Sequence, residues 1–207
     1  MPNHCMNKLG IIGPTKDVQD FIELVTNNDE NNEEQEQDKY ELFKNLIPMP
    51  KELEGTTSSY GRGKNQELVD KYGYDNWYDW CLDKWGTKWG DYELSASEIR
   101  HETSYEFKKL ENGETDYDNG VEKLNGKSSI HFDYTTAWSP GADELANAIV
   151  NRFPNLNGFI YYEEPGMGFA GQLVFSKGEI DRHNQWEYNQ AYEDVSDVYF
   201  EEKDDNE

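Results

Sequence analysis

The stretch from 129 to 165 limits most strongly what this chain can fold into. In SIHFDYTTAW, 129 to 138, Ile130, Phe132, Tyr134, Thr136 and Trp138 point one way, and His131, Asp133, Thr135 and Ala137 the other. That is the period of a half-buried strand. Ser139-Pro140-Gly141 breaks it. In ADELANAIVNRF, 142 to 153, the period changes: Ala142, Leu145, Ala146, Ile149, Val150 and Phe153 make one helical stripe, and Pro154 ends it. GFIYYEEP, 158 to 165, reads as a strand again. A strand, an amphipathic helix and a strand must each bury one face in a shared core.

The N-terminal part repeats the pattern. HCMNKLGIIG, from residue 4, reads as a strand ended by Gly13-Pro14. Thr15 is expected as the N-cap of a helix with Val18, Phe21, Ile22 and Val25 on one face. FKNLIPMPKEL, 43 to 53, holds two prolines and is expected as a covering loop; GTTSSYGRGKN, 55 to 65, reads as an exposed one. NWYDWCLDKW, 76 to 85, reads as a short helix with Trp77, Trp80 and Cys81 on one face and Gly86 as its stop. KWGDYEL is expected to be extended. In SEIRHETSYEFKKL, 97 to 110, Ile99, Thr103, Tyr105 and Phe107 suggest one side of a strand. GFAGQLVFS and EIDRHNQWEY read as a hairpin turning at Lys177-Gly178. The expected fold is α+β: an antiparallel sheet, two main helices and a split β-α-β arrangement.

Charge narrows the partners. The net charge is −24, and three runs at 27–41, 111–118 and 193–207 carry −6, −4 and −7 of it. Such a field repels nucleic acid and anionic membrane. It suits a protein partner with a basic surface. No apolar run is long enough to span a membrane. Cys5 and Cys81 are the only cysteines, and without an evident export signal they are expected to be free thiols in a reducing compartment.

Five blocks carry a resemblance: MPNHCMNKL at the start, LIPMPKEL at 46–53, NWYDWCLDKWGTKWG at 76–90, FDYTTAWSPG at 132–141 and FPNLNGFIYYEEPGMGFAG at 153–171. In this order the chain resembles the YubB-type, or Api-ninety-two-like, proteins of phages and plasmids. The resemblance implies a ferredoxin-like α+β fold, here expected over residues 1–186. The charge and aromatic runs place in it an acidic insert near 27–41, a Trp-rich insertion near 43–94 and an acidic loop at 111–119, followed by an acidic tail at 187–207. The acidic insert, the stretch 95–127 and the tail depart from the family. It implies a mobile genetic element and the cytoplasm of the bacterium that carries it. It brings no known activity, catalytic residue or cofactor. An iron–sulfur cluster typically needs four thiolates, and this chain has two cysteines.

Chemical motifs are sparse. GMGFAG, 166 to 171, matches a dinucleotide-binding pattern, but the QLVFSKG that follows is no helix start. The expected role of its glycines is a tight strand connection. Glu163 and Glu164 point to opposite faces of a strand, so they cannot act as a pair on one substrate. His4, Cys5, Cys81, His101, His131 and His183 show no ligand spacing, so no metal is expected. Most tryptophans are expected to staple a core poor in aliphatics, since each aromatic buries roughly 150–250 Å².

Three functional readings remain. The first is a non-enzymatic phage or mobile-element protein that inhibits a host factor handling nucleic acid, an anti-defence mimic of phosphate charge. Its interface would be Asp29, Glu30, Glu33, Glu34, Glu36, Asp38, Glu111, Glu114, Asp116 and Asp118. The second is a sponge for a small nucleotide, with Trp85, Thr87, Lys88, Trp89, Trp138, Ser139 and Glu163 as the pocket. The third is an enzyme of unrecognised type, for which no catalytic residue stands out.

Overall fold

The alternation at 129–138 belongs to a longer strand. In this computed structural model, which describes residues 3–27, 39–57, 63–106 and 121–188, the strand runs Val121–Ala137 and is the fourth of the chain. The order is β1 (His4–Pro14), α1 (Thr15–Val25), α2 (Leu42–Leu46), α3 (Gln66–Tyr72), α4 (Trp77–Lys84), β2 (Tyr92–Ala96), β3 (Arg100–Glu106), β4, α5 (Ala142–Arg152), β5 (Asn157–Glu164), β6 (Phe169–Ser176) and β7 (Glu179–Glu187).

All pairings are antiparallel, in the order β2-β4-β1-β5-β6-β7, with β3 also on β4. The unit β1–α1–β2 therefore brackets β4, and β4–α5–β5 brackets β1. Two interlocked split β-α-β units in this order are the ferredoxin-like fold. β6 and β7 extend the sheet beyond β5. β2 and β3 lie end to end along β4, joined where the Ser97 amide donates to the His131 carbonyl at 2.8 Å.

The helices cover one face. Leu9 and Ile11 of β1, Ile130, Phe132 and Tyr134 of β4, and Ile160 and Tyr162 of β5 meet Val18 and Phe21 of α1 and Leu145 and Ile149 of α5 in one core. The tryptophan-rich segment joins that core through Trp80 and Trp85, which pack edge-on at 5.3 Å. Both cysteines are free and buried, and burial pushes their thiols up to about 12.

Several local expectations change. Thr15 is the first helical residue rather than a cap; its hydroxyl bonds Ser128 Oγ at 2.8 Å, so it ties α1 to β4. The covering loop at 43–53 begins inside α2, because both prolines fall after that helix. The half-buried Asp91 carboxylate starts α2 by accepting the Leu42 and Phe43 amides at 3.1 and 2.8 Å. α3 was not expected; Asn65 caps its start and left-handed Gly73 its end. Ile99 lies outside β3 and is exposed, as are His101 and Thr103, so that strand has no inward row there. Trp138 lies outside β4, at φ 74° and partly exposed. Alternation fails there because the chain must reverse into α5 through Trp138 and left-handed Gly141. The hairpin turn at Lys177-Gly178 is as expected, with φ of 52° and 80° suited to a two-residue loop.

The other sheet face has no described helix on it. There the Phe159 ring lies across Gly10, where a Cβ would come within 2.8 Å of its Cζ, and ends 6.1 Å from the His131 ring. Burial, with Lys8 and Arg100 nearby, holds His131 below its ordinary 6.5. The unfolded chain then binds more protons, so stability present above pH 6.5 is lost as pH falls through the folded pKa. His131→Gln is expected to flatten the fall in urea midpoint between pH 7 and pH 5. Equal slopes in both proteins would show that His131 is not coupled to folding. Among the described residues no helix is long and apolar enough to cross a membrane.

Candidate functional site

Two features meet at the end of the sheet where β4 turns into α5. The first is an aromatic edge. Lys88 Nζ sits 4.4 Å from the Trp89 ring centre and 4.9 Å from that of Trp138. Trp89 packs edge-on to Tyr92 at 6.4 Å, Tyr92 to His4 at 5.8 Å, and Trp138 to Tyr78 at 6.4 Å. Trp89 and Trp138 are 43% and 38% exposed. Trp138 is held in place by its amide, which donates to the Asn3 carbonyl at 3.0 Å. A bulky side chain at positive φ is strained, at a cost of about 1–3 kcal/mol.

The second feature is a cavity of about 350 Å³ against the first turn of α5, with Trp138 in its wall. A polar chain runs through it. The Asp143 carboxylate meets His183 Nδ1 at 3.0 Å, and His183 Nε2 meets the Tyr162 hydroxyl at 2.7 Å. If Nδ1 carries the proton for Asp143, Nε2 accepts from the phenol. Tyr162 on β5 reaches His183 on β7 by lying over Gly171 of β6, where a Cβ would come 2.8 Å from the Asn184 carbonyl and collide with the phenol. The last glycine of GMGFAG is thus needed for this ring crossing. Burial pushes the Tyr162 phenol up to about 12, so it stays protonated near neutral pH.

Glu144 lies beside this chain. A Cβ on Gly86 would come 2.7 Å from its Cδ, so the left-handed glycine after α4 makes room for it. Burial, then the like charges of Asp143 and Asp83, raises the Glu144 carboxyl above its ordinary value. The His183 ring opposes that rise, and among the described residues no lysine or arginine lines the cavity.

The expected nucleotide pocket is not assembled. Trp85 is buried, and its Nε1 donates to the Ile47 carbonyl at 2.8 Å. Thr87 is buried too; its hydroxyl donates to the Ala137 carbonyl at 2.9 Å. Glu163 faces the opposite side of the sheet, where Tyr161 donates to it at 2.9 Å. Lys88, Trp89 and Trp138 do come together, with the ammonium over both rings. Ser139 lines the cavity, with its hydroxyl donating to the Gly86 carbonyl. Glu164 faces inward and accepts the Gly166 amide at 3.1 Å and the Met167 amide. The acidic positions Asp29, Glu30, Glu33, Glu34, Glu36, Asp38, Glu111, Glu114, Asp116 and Asp118 lie outside the described residues. Among the described residues no His, Cys, Asp and Glu group could hold a metal ion.

Asp143, Glu144 and Tyr162 carry no signal in the sequence that marks them as a site, and His183 stands out there only as a possible metal ligand. Asp143 and Glu144 look like ordinary first-turn acids of a helix. The pairing of Tyr162 with His183 follows from strand register across Gly171, which spacing along the chain does not reveal.

Residues 111–205 match a family model described as a ferredoxin-like domain in Api92-like protein. The resemblance is thus found again over the C-terminal part of the chain, which holds two of the five blocks, 132–141 and 153–171. No curated protein matches. Among solved structures, the chain is similar to the crystal structure of a protein Api92 from Yersinia pseudotuberculosis, at 11% identity and a TM-score of 0.44, over 90% of this chain and 98% of that one.

Proposed function

We propose that this chain, Api92-like over residues 111–205, is a non-enzymatic binding protein of a mobile genetic element that docks on a host protein with a basic, nucleic-acid-handling surface and inhibits it. The observation that supports this reading most is the aromatic edge. Trp138 is strained and still more than one third exposed, beside Trp89, Tyr78 and Tyr92. A tryptophan needed only for the core would be turned inward. Tryptophan and tyrosine dominate interface hot spots because a rigid ring buries much area at little entropic cost. The −24 charge supplies the long-range part: it steers a basic partner in and repels free nucleic acid.

The nucleotide-sponge alternative is weaker on this geometry. The cavity wall carries Asp143 and Glu144, which oppose a phosphate. A catalytic reading finds a Tyr–His–Asp chain, but its phenol is too buried to serve as a phenolate.

The test is a tagged pull-down from bacterial lysate at graded salt, with the wild type and Trp138→Ala. We expect a basic partner that falls away as salt rises. Trp138→Ala should weaken its capture by about tenfold to a hundredfold, the range of a hot-spot residue. The variant should keep a melting temperature near the wild type. A partner held equally by both proteins would remove the aromatic edge from the interface. Capture of no partner at any salt would remove the reading itself.

A further inference from the structure

We propose that the cavity at the start of α5 seats a guanidinium group, the side chain of an arginine on the docked partner, with Glu144 as its carboxylate acceptor and Trp138 as its aromatic wall. This deepens the docking reading and rests on it, because the cavity and the exposed aromatic edge share Trp138.

Four observations point to a cation of this shape. The cavity, at about 350 Å³, can admit an arginine side chain. Its charged lining is acidic: Asp143, tied to His183, and Glu144, half-buried. A carboxylate withdrawn from water beside two like charges gains most from a positive partner. An anion would find the first turn of α5 already occupied by both carboxylates, so the ordinary attraction of a helix start is cancelled there. Lastly, Trp138 already holds one cation, the Lys88 ammonium at 4.9 Å from its ring centre. That contact has the geometry of a cation–π pair. The planar fork of guanidinium suits a carboxylate and an aromatic face together better than a compact ammonium does.

The test titrates N-acetyl-L-arginine amide into the full chain and follows the Trp138 indole N–H and Gly86 amide signals by NMR. Saturable shifts are expected at roughly millimolar probe, the range for so small a ligand. N-acetyl-L-citrulline amide, the neutral isostere, should leave both signals in place. Glu144→Gln keeps the side-chain shape and should weaken the arginine probe about tenfold. No saturable shift, equal binding of citrulline, or unchanged affinity in Glu144→Gln would overturn the inference. Spermidine binding more tightly than the arginine probe would overturn the arginine assignment and give the cavity to a free polyamine. The two readings fail separately. A partner captured by the wild type while the arginine probe does not bind ends the cavity inference alone. Probe binding by a protein that captures no partner ends the docking reading, and with it the assignment to a partner's arginine, while the guanidinium site itself stands.

Discussion

Gly141→Ala is expected to cost about 3 kcal/mol of folding stability, the sum of left-handed strain and overpacking. Gly141 is the cap residue before α5, at φ 60° and ψ 29°. A Cβ there would collide with the Trp85 carbonyl oxygen and come within 2.9 Å of Phe43 Cζ. Neither neighbour can move freely. The Trp85 backbone lies at the end of α4, and the Phe43 ring packs on Trp85 at 6.2 Å and on Tyr134 at 6.5 Å. Gly141 is therefore the point where the inserted helices touch the β4–α5 turn. The measurement is urea unfolding of the variant against the wild type. A loss under about 1 kcal/mol would show that the turn adapts, against the rigid packing inferred here.

Trp85→Ala should be as severe, at about 3–5 kcal/mol for emptying a large aromatic site. Trp85 is 3% exposed and joins Phe43 and Trp80 in the core. Its removal also strips the Ile47 carbonyl of the 2.8 Å indole donor, and an unmet buried polar group adds to the loss. Trp89→Ala, at a site 43% exposed, should cost under about 1 kcal/mol, as surface changes usually do. The pair separates the two uses of tryptophan in this stretch. Trp80 and Trp85 staple the insertion to the domain, while Trp89 and Trp138 are displayed. Similar losses for both variants would mean that the displayed ring is also structural.

The elements were legible where one physical signal acted alone. The helix at 142–153 shows a full apolar stripe because one side packs on the sheet and the other meets solvent. The strand at 129–138 alternates because its two faces differ in the same way. The hairpin at 177–178 follows from the glycine that its turn requires. α3 was missed because it is only seven residues long and half-buries Leu68, Val69 and Tyr72 without enclosing any of them, too short a stripe to read. The end of β4 was misplaced because Trp138 continues the apolar alternation while its backbone has already turned.

Local pattern thus determined the α+β class, the two main helices and the strands they join, since each element records in its own residues which side faces the core. It also determined the acidic field, which is a sum over residues and needs no fold. The tertiary structure alone decided which tryptophans are spent inside and which are shown. It alone brought Asp143, His183 and Tyr162 into one chain of hydrogen bonds. These residues come from a helix and two strands that meet only after register is set, with Gly171 leaving space between them. A site built across strands leaves no spacing in sequence, because sheet pairing can join any two positions whose strands lie side by side or one strand apart.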